Sequence, residues 1–144
     1  MTLVERGPYL SEARLSQDVR EGETLTRTPL LARAAEQLAA YFAGERTAFD
    51  LPLAPLGTPF QHRVWQTLLR EVPFGQSISY GELAKHCDNP AGARAVGMAN
   101  HHNPLAILIP CHRVLGANGG LVGYGGGLPV KRFLLTLERV PFRP

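Results

Sequence analysis

Cysteine is scarce in this chain. Only Cys87 and Cys111 occur in 144 residues. Two thiols cannot build a disulfide scaffold, and neither lies in a CxxC, so no metal site is expected. Free thiols point to a reducing compartment: the cytoplasm, with a nucleoid association if the source is bacterial. Long apolar runs are also missing. Nothing approaches the roughly 18 consecutive apolar residues of a membrane span, so no membrane partner is expected. The opening stretch MTLVERGPYLSEARL lacks a basic-then-apolar pattern, and no secretion signal is expected. There is no internal repeat, low-complexity run or long linker. At 44% hydrophobic and 19% charged, the composition argues against a disordered chain.

Acidic residues are scarce in the second half. Residues 1–72 carry 8 Lys/Arg against 9 Asp/Glu, whereas residues 73–144 carry 7 against 3. Four of the five histidines also lie there. This basic bias permits an anionic partner such as nucleic acid, without requiring one.

The chain reads as two parts. Residues 1–56 form a small N-terminal αβ segment. Residues 1–28 have room for one or two short strands, a helix is expected over about 30–44, and the Pro-rich AFDLPLAPLG reads as an extended connector. Residues 57–144 read as mainly helical, giving an α+β fold overall. Thr58-Pro59 is a cap followed by proline at the first helical position, with Phe60, Val64, Trp65, Leu68 and Leu69 as the apolar stripe. Trp65 is read as core. Ser79 caps YGELAKHC, with Glu82 placed for a capping box. Asn89-Pro90 opens PAGARAVGMANHH. Two short helices around a tight turn make a helix-turn-helix pattern. The small residues Ala91, Gly92, Ala93, Ala95, Gly97 and Ala99 allow close backbone approach, to DNA or to a neighbouring helix. The run LAILIP reads as a buried extended segment. The glycines of LGANGGLVGYGGG mean tight turns, since both nucleotide-loop contexts are absent and no cofactor is expected. A last helix, PVKRFLLTLERV, is expected to turn Phe133, Leu134 and Leu137 inward and to leave Lys131 and Arg132 on its solvated face.

Chemistry concentrates at IPCHRV. A cysteine becomes a nucleophile only as thiolate, which needs a base or a positive field. Neighbours on an extended segment point to opposite faces, so His112 reaches Cys111 only if the chain bends or through a water. A carboxylate would orient the histidine. The second half offers Glu82, Asp88 and Glu138; the first has a capping role and the second lies in a turn, leaving Glu138. The competing reading is a buried, inert Cys111.

IPCHRV, then GYGGG and KRFLL with Glu138, preceded by GTPFQHRVW, SYGELA, NPAGARAVGMAN and Asn103-Pro104, resembles the O6-alkylguanine-DNA alkyltransferases (methylated-DNA–protein-cysteine methyltransferases). The resemblance runs from about Gly57 to Glu138 and weakly back through YFAGERTAFDLPL. It implies irreversible transfer of an alkyl group from O6 of guanine to Cys111, with His112 deprotonating the thiol through a water and Glu138 orienting His112. It implies that Tyr80 helps to rotate the target nucleotide and donates a proton. Arg94 would fill the place of the extruded base, with Ala93, Gly97 and Asn100 on the same DNA-binding helix. Asn103, Pro110, Val114, Tyr124, Gly125 and Gly126 would form the substrate pocket. The implied partner is double-stranded DNA carrying O6-alkylguanine, bound by a monomer. The N-terminal domain of the pattern is expected to be reduced here.

Two other functions compete. Alkyltransferase-like proteins bind and flag lesions without repair, with another residue at the cysteine position; Cys111, His112 and Glu138 speak for the enzyme. A sequence-specific regulator is disfavoured, because the small-residue helix has few side chains to read base edges.

Overall fold

The computed structural model describes residues 1–144 and divides into two compact units. The first comprises Met1–Leu56 together with Pro104–Leu108. Its strands β1 (Thr2–Arg6) and β2 (Tyr9–Arg14) form an antiparallel hairpin with an irregularity between Val4 and Glu5. The connection uses Gly7 at φ 58°, a conformation that costs glycine nothing. The second edge of β2 is covered. Leu10 bonds to Pro52 and Ala54, and Ala13 bonds to Pro104 and Ala106. Residues 104–108, assigned above to the C-terminal part, thus complete the N-terminal unit.

Helix α1 (Pro29–Phe42) starts where Thr28 accepts the Leu31 amide at 3.1 Å, with proline in the first turn. It buries Ala34, Gln37, Leu38 and Tyr41, one face at helical spacing. Gln37 is the polar exception. Its amide donates to the Asp50 carbonyl at 3.1 Å and accepts from the Asp50 amide at 2.9 Å, pinning the connector.

The second unit comprises Gly57–Asn103 and Ile109–Pro144. Helix α2 (Pro59–Glu71) has a full capping box between Thr58 and Gln61. Its buried face is Val64, Trp65, Thr67 and Leu68; Leu69, expected in the stripe, is 48% exposed. Strand β3 (Ile78–Ser79) leads directly into α3 (Tyr80–His86). Ser79 accepts the Glu82 amide, but the Glu82 carboxylate pairs with Lys85 instead of closing the expected capping box. Helix α4 (Ala93–His101) begins three residues later than its proline suggested, because Asn89 and Gly92 close a turn first and Gly92 provides no side-chain cap. α2, α3 and α4 pack together around Val64, Trp65, Leu68, Leu83, Ala84, Val96 and Ala99. The Trp65 indole donates to the Ala99 carbonyl at 2.9 Å, so this core residue also fixes the end of α4.

LAILIP is not extended. Ile107 sits at φ 71°, with Leu108 N–H bonded to Ala106 O at 2.8 Å. Pro110, at φ −79° and ψ 59°, centres a second three-residue turn closed by Cys111 N–H to Ile109 O at 2.8 Å. Cys111–Arg113 then form a 3-10 turn that runs into β4 (Val114–Leu115). β4 pairs in parallel with β3, Ile78 opposite Val114 and Ser79 opposite Leu115. Helix α5 (Leu128–Leu137) follows Gly127, whose φ of 94° suits glycine. Phe133, expected inside, is 55% exposed, and the buried positions are Lys131, Leu134 and Leu135.

Candidate active site

The short β3–β4 pairing places the first residue of α3, Tyr80, next to the 3-10 turn that carries Cys111. Cys111 is 5% exposed. The Asn103 side-chain amide donates to its sulfur at 3.1 Å and to the Ile109 carbonyl at 2.9 Å. Asn103 therefore holds both the thiol and the bend that presents it. Asn100, expected at the DNA surface, is buried and donates to the Cys111 carbonyl at 3.2 Å. Its place on the inner face of α4 explains the difference: it braces the backbone of Cys111.

Burial pushes the Cys111 thiol up from its ordinary range. The Asn103 amide, the Tyr124 hydroxyl and the Lys131 ammonium pull it back down. The Tyr124 hydroxyl is buried without a hydrogen-bond partner, and burial first, then the neighbouring Cys111, push its phenol up. Tyr80 is half-buried, and burial first, then the neighbouring Cys111, raise its phenol.

Lys131 overturns its expected place on the solvated face. It is 0% exposed, and its ammonium donates to the carbonyls of Val114 at 2.5 Å, Val122 at 2.9 Å and Gly123 at 3.2 Å. Burial lowers it to about 8. A lysine inside a helix that otherwise buries leucines is normally read as exposed. Here three carbonyls replace water, and the same bonds tie β4 to the loop before Tyr124.

His112 and Glu138 are both fully buried, with His112 Nε2 2.6 Å from Glu138 Oε2. Glu138 caps the C-terminus of α5. His112 Nδ1 is buried without a protein partner. Burial is the main force lowering His112 below its usual 6.5; Arg113 and Lys131 add to it, and Glu138 opposes. His112 is thus a neutral imidazole at neutral pH. Arg113, which sequence reasoning passed over, grips the same carboxylate: Nε to Oε1 at 2.7 Å and Nη2 to Oε2 at 3.1 Å.

Around this centre, Val114 is buried in β4 and Pro110 shapes the turn, while Gly125 and Gly126 lie on the exposed loop beside Tyr124. Gly125 approaches the His101 carbonyl at the end of α4, where an added Cβ would stand 3.4 Å away. Arg94 and Ala93 are exposed at the start of α4, and the Arg94 side chain makes no ion pair. Gly97 faces Tyr80, whose ring would lie 3.7 Å from an added Cβ. His62, His86, His101 and His102 stay outside the cluster, and no group of three or more His, Cys, Asp or Glu side chains could hold a metal.

A buried thiol held by an asparagine, with a buried histidine–glutamate pair beside it, has the parts that thiol group transfer needs, and it lies behind a helix-turn-helix. Comparison with known proteins narrows the class. Residues 59–140 match the family described as 6-O-methylguanine DNA methyltransferase, DNA binding domain, and residues 8–55 match its ribonuclease-like domain. A methylated-DNA–protein-cysteine methyltransferase of Mycolicibacterium paratuberculosis is 51% identical over 142 residues, covering 96% of this chain and 86% of the relative. The crystal structure of Mycobacterium tuberculosis OGT in complex with DNA superposes with a TM-score of 0.87 at 48% identity, covering 96% of this chain and 87% of that one. S. pombe Atl1, in complex with damaged DNA containing O6-carboxymethylguanine, gives 0.51 at 30% identity, covering 57% of this chain and 77% of that one. The chain belongs to the 6-O-methylguanine DNA methyltransferase family. The N-terminal segment, expected to be reduced, matches the ribonuclease-like domain of the family over residues 8–55.

Proposed function

We propose that this protein repairs DNA by direct reversal, moving an alkyl group from O6 of guanine in double-stranded DNA to Sγ of Cys111. One observation carries this reading: a buried thiol held by Asn103 stands beside a buried His112–Glu138 pair whose remaining ring nitrogen is open. The target base must leave the stack to reach a thiol so deeply placed. Arg94, exposed and unpaired on a helix of small residues, occupies the gap from the minor groove. Tyr80, at the junction of β3 and α3, steers the extruded nucleotide. The loop carrying Tyr124, Gly125 and Gly126 closes the base pocket.

Transfer is a displacement at the alkyl carbon. A water relays the thiol proton to His112 Nδ1, and Glu138 stabilises the imidazolium that forms. The thiolate forms the S–C bond as the C–O6 bond breaks. The electron pair stays with guanine, which takes a proton from the Tyr80 side. Lys131, Asn103 and Tyr124 supply the positive field that the developing thiolate needs in a buried site. The thioether is stable, so each molecule acts once, as a monomer and without a cofactor. Two free buried thiols suit a reducing cytoplasm, where a bacterial nucleoid also lies.

A protein that flags lesions without repairing them is not favoured, since near full-length similarity lies with the methyltransferases and the cysteine, histidine and glutamate are all present. Incubation with excess duplex containing O6-methylguanine tests the reading by counting the guanine restored. One guanine per protein molecule, reaching a plateau, is expected. Tight lesion binding with no guanine restored would replace repair with flagging.

A further inference from the structure

Within one 3-10 turn, two successive side chains converge on the same carboxylate. His112 meets Glu138 at Oε2, while Arg113 spans both oxygens and uses a third nitrogen, Nη1, on the Val72 carbonyl at 2.7 Å. The guanidinium is thereby locked between the end of α2 and the end of α5. We infer that Arg113 is a positioning residue of the proton relay: it holds Glu138 as an ionised acceptor and so fixes His112 as the neutral tautomer protonated on Nε2, with Nδ1 left to accept. This rests on the reading of Cys111, His112 and Glu138 as the transfer site.

The donor and acceptor count requires it. An ionised carboxylate only accepts, so the proton in the 2.6 Å contact belongs to His112 Nε2. A buried carboxylate without a cation tends to take up a proton. Protonated, Glu138 would donate to Nε2 and move the ring proton to Nδ1, where it blocks the relay. The other escape, a proton gained by His112 beside an unneutralised Glu138, also fills Nδ1. Arg113 closes both routes. The charged and titratable groups facing His112 are Glu138 and Lys131 from α5 and, within its own turn, Arg113 and Cys111. Arg113 and Lys131 both disfavour the imidazolium, but only Arg113 touches the carboxylate. The forked geometry matters as well as the charge, because a planar guanidinium meets two oxygens at once and an ammonium does not.

Nitrogen-15 NMR of the imidazole rings in the full chain tests this, with His112 assigned by its loss in His112→Gln. In the unmutated protein at neutral pH, Nδ1 is expected to read as unprotonated and Nε2 as protonated. In Arg113→Met, Nδ1 is expected to carry a proton, or the ring to titrate about 1–3 pH units higher. Should Arg113→Met fail to fold, Arg113→Lys decides: it keeps a charge but loses the fork, and His112 should titrate above the unmutated value. A proton on Nδ1 in the unmutated protein overturns the inference whatever the variants do. So does a tautomer and titration unchanged in a folded Arg113→Met, or in Arg113→Lys when only that variant folds. The readout needs no alkyl transfer. A protein with the expected tautomer that restores no guanine would refute the proposed function and leave the role of Arg113 standing.

Discussion

The two units each contain an arginine that forks onto a glutamate, and the two pairs do different work. In the N-terminal unit, Arg14 holds Glu23 with two bonds of 2.8 Å and also donates to the Asp18 carbonyl, closing the loop after β2. Glu23 stays partly in solvent, and the Arg14 guanidinium drives its carboxyl well below the usual 4.5, to about 2. In the C-terminal unit the Arg113–Glu138 pair is out of solvent and has a third member, His112. One pair is a clasp. The other is a clasp that also holds a buried imidazole. Geometry alone does not separate them; burial and the third partner do.

Removing the thiol tests this contrast at its extreme. Cys111→Ala should bind alkylated duplex in a gel shift yet transfer nothing; residual transfer would move the chemistry to Cys87. Glu138→Gln comes next. It strips the charge that stabilises the His112 imidazolium, and single-turnover rates should fall by up to about 10²–10⁴, the usual worth of the general base it supports. Breaking a buried pair also costs about 3–5 kcal/mol of stability, which thermal unfolding would register. Glu23→Gln should leave the transfer rate unchanged, and a drop of similar size there would erase the distinction between the pairs.

Arg94→Ala should slow repair of duplex by about 10- to 100-fold, matching the few kcal/mol that extruding a base costs. Reaction with free O6-methylguanine base should hardly change. Equal losses in both assays would remove Arg94 from the gap left by the base. Lys131→Met should move the pH at which Cys111 reacts with a small alkylating reagent upward, since a cation beside the thiol is lost.

The smallest effect is a difference in acid sensitivity. His112 is held below 6.5 when folded, so the unfolded chain binds more protons as the pH drops through that value. Stability of the C-terminal unit should therefore begin to fall there. Glu23 is depressed from 4.5 to about 2, so its contribution is full above 4.5 and disappears as the pH approaches 2. Hydrogen exchange against pH should show amides near His112 loosening before those near Arg14 and Glu23.

Much of the site was legible because its motifs are local. PCHRV, the helix-turn-helix and the cap at Thr58 each depend on residues a few positions apart. The carboxylate partner of His112 came from elimination among three acidic residues. Other features depend on packing and were not legible. Lys131 looked like a surface cation because the three carbonyls that receive it lie 8, 9 and 17 positions away in the chain. LAILIP looked extended because apolar content hides two tight turns; Pro110, with its fixed φ, was the only local sign. Asn100 looks like a DNA contact from the small-residue helix it lies on, yet it is buried there and donates to the Cys111 carbonyl. Arg113 is part of the local motif, but its partner Glu138 lies 25 residues on, so the motif alone does not show what its side chain holds.

The most direct measurement is peptide mapping by mass spectrometry after reaction with a duplex containing O6-methylguanine. One methyl group, in stoichiometric yield and confined to the peptide that contains Cys111, is expected. Unmodified Cys111 beside restored guanine, or methyl on Cys87 or another residue, would contradict the assignment of the nucleophile.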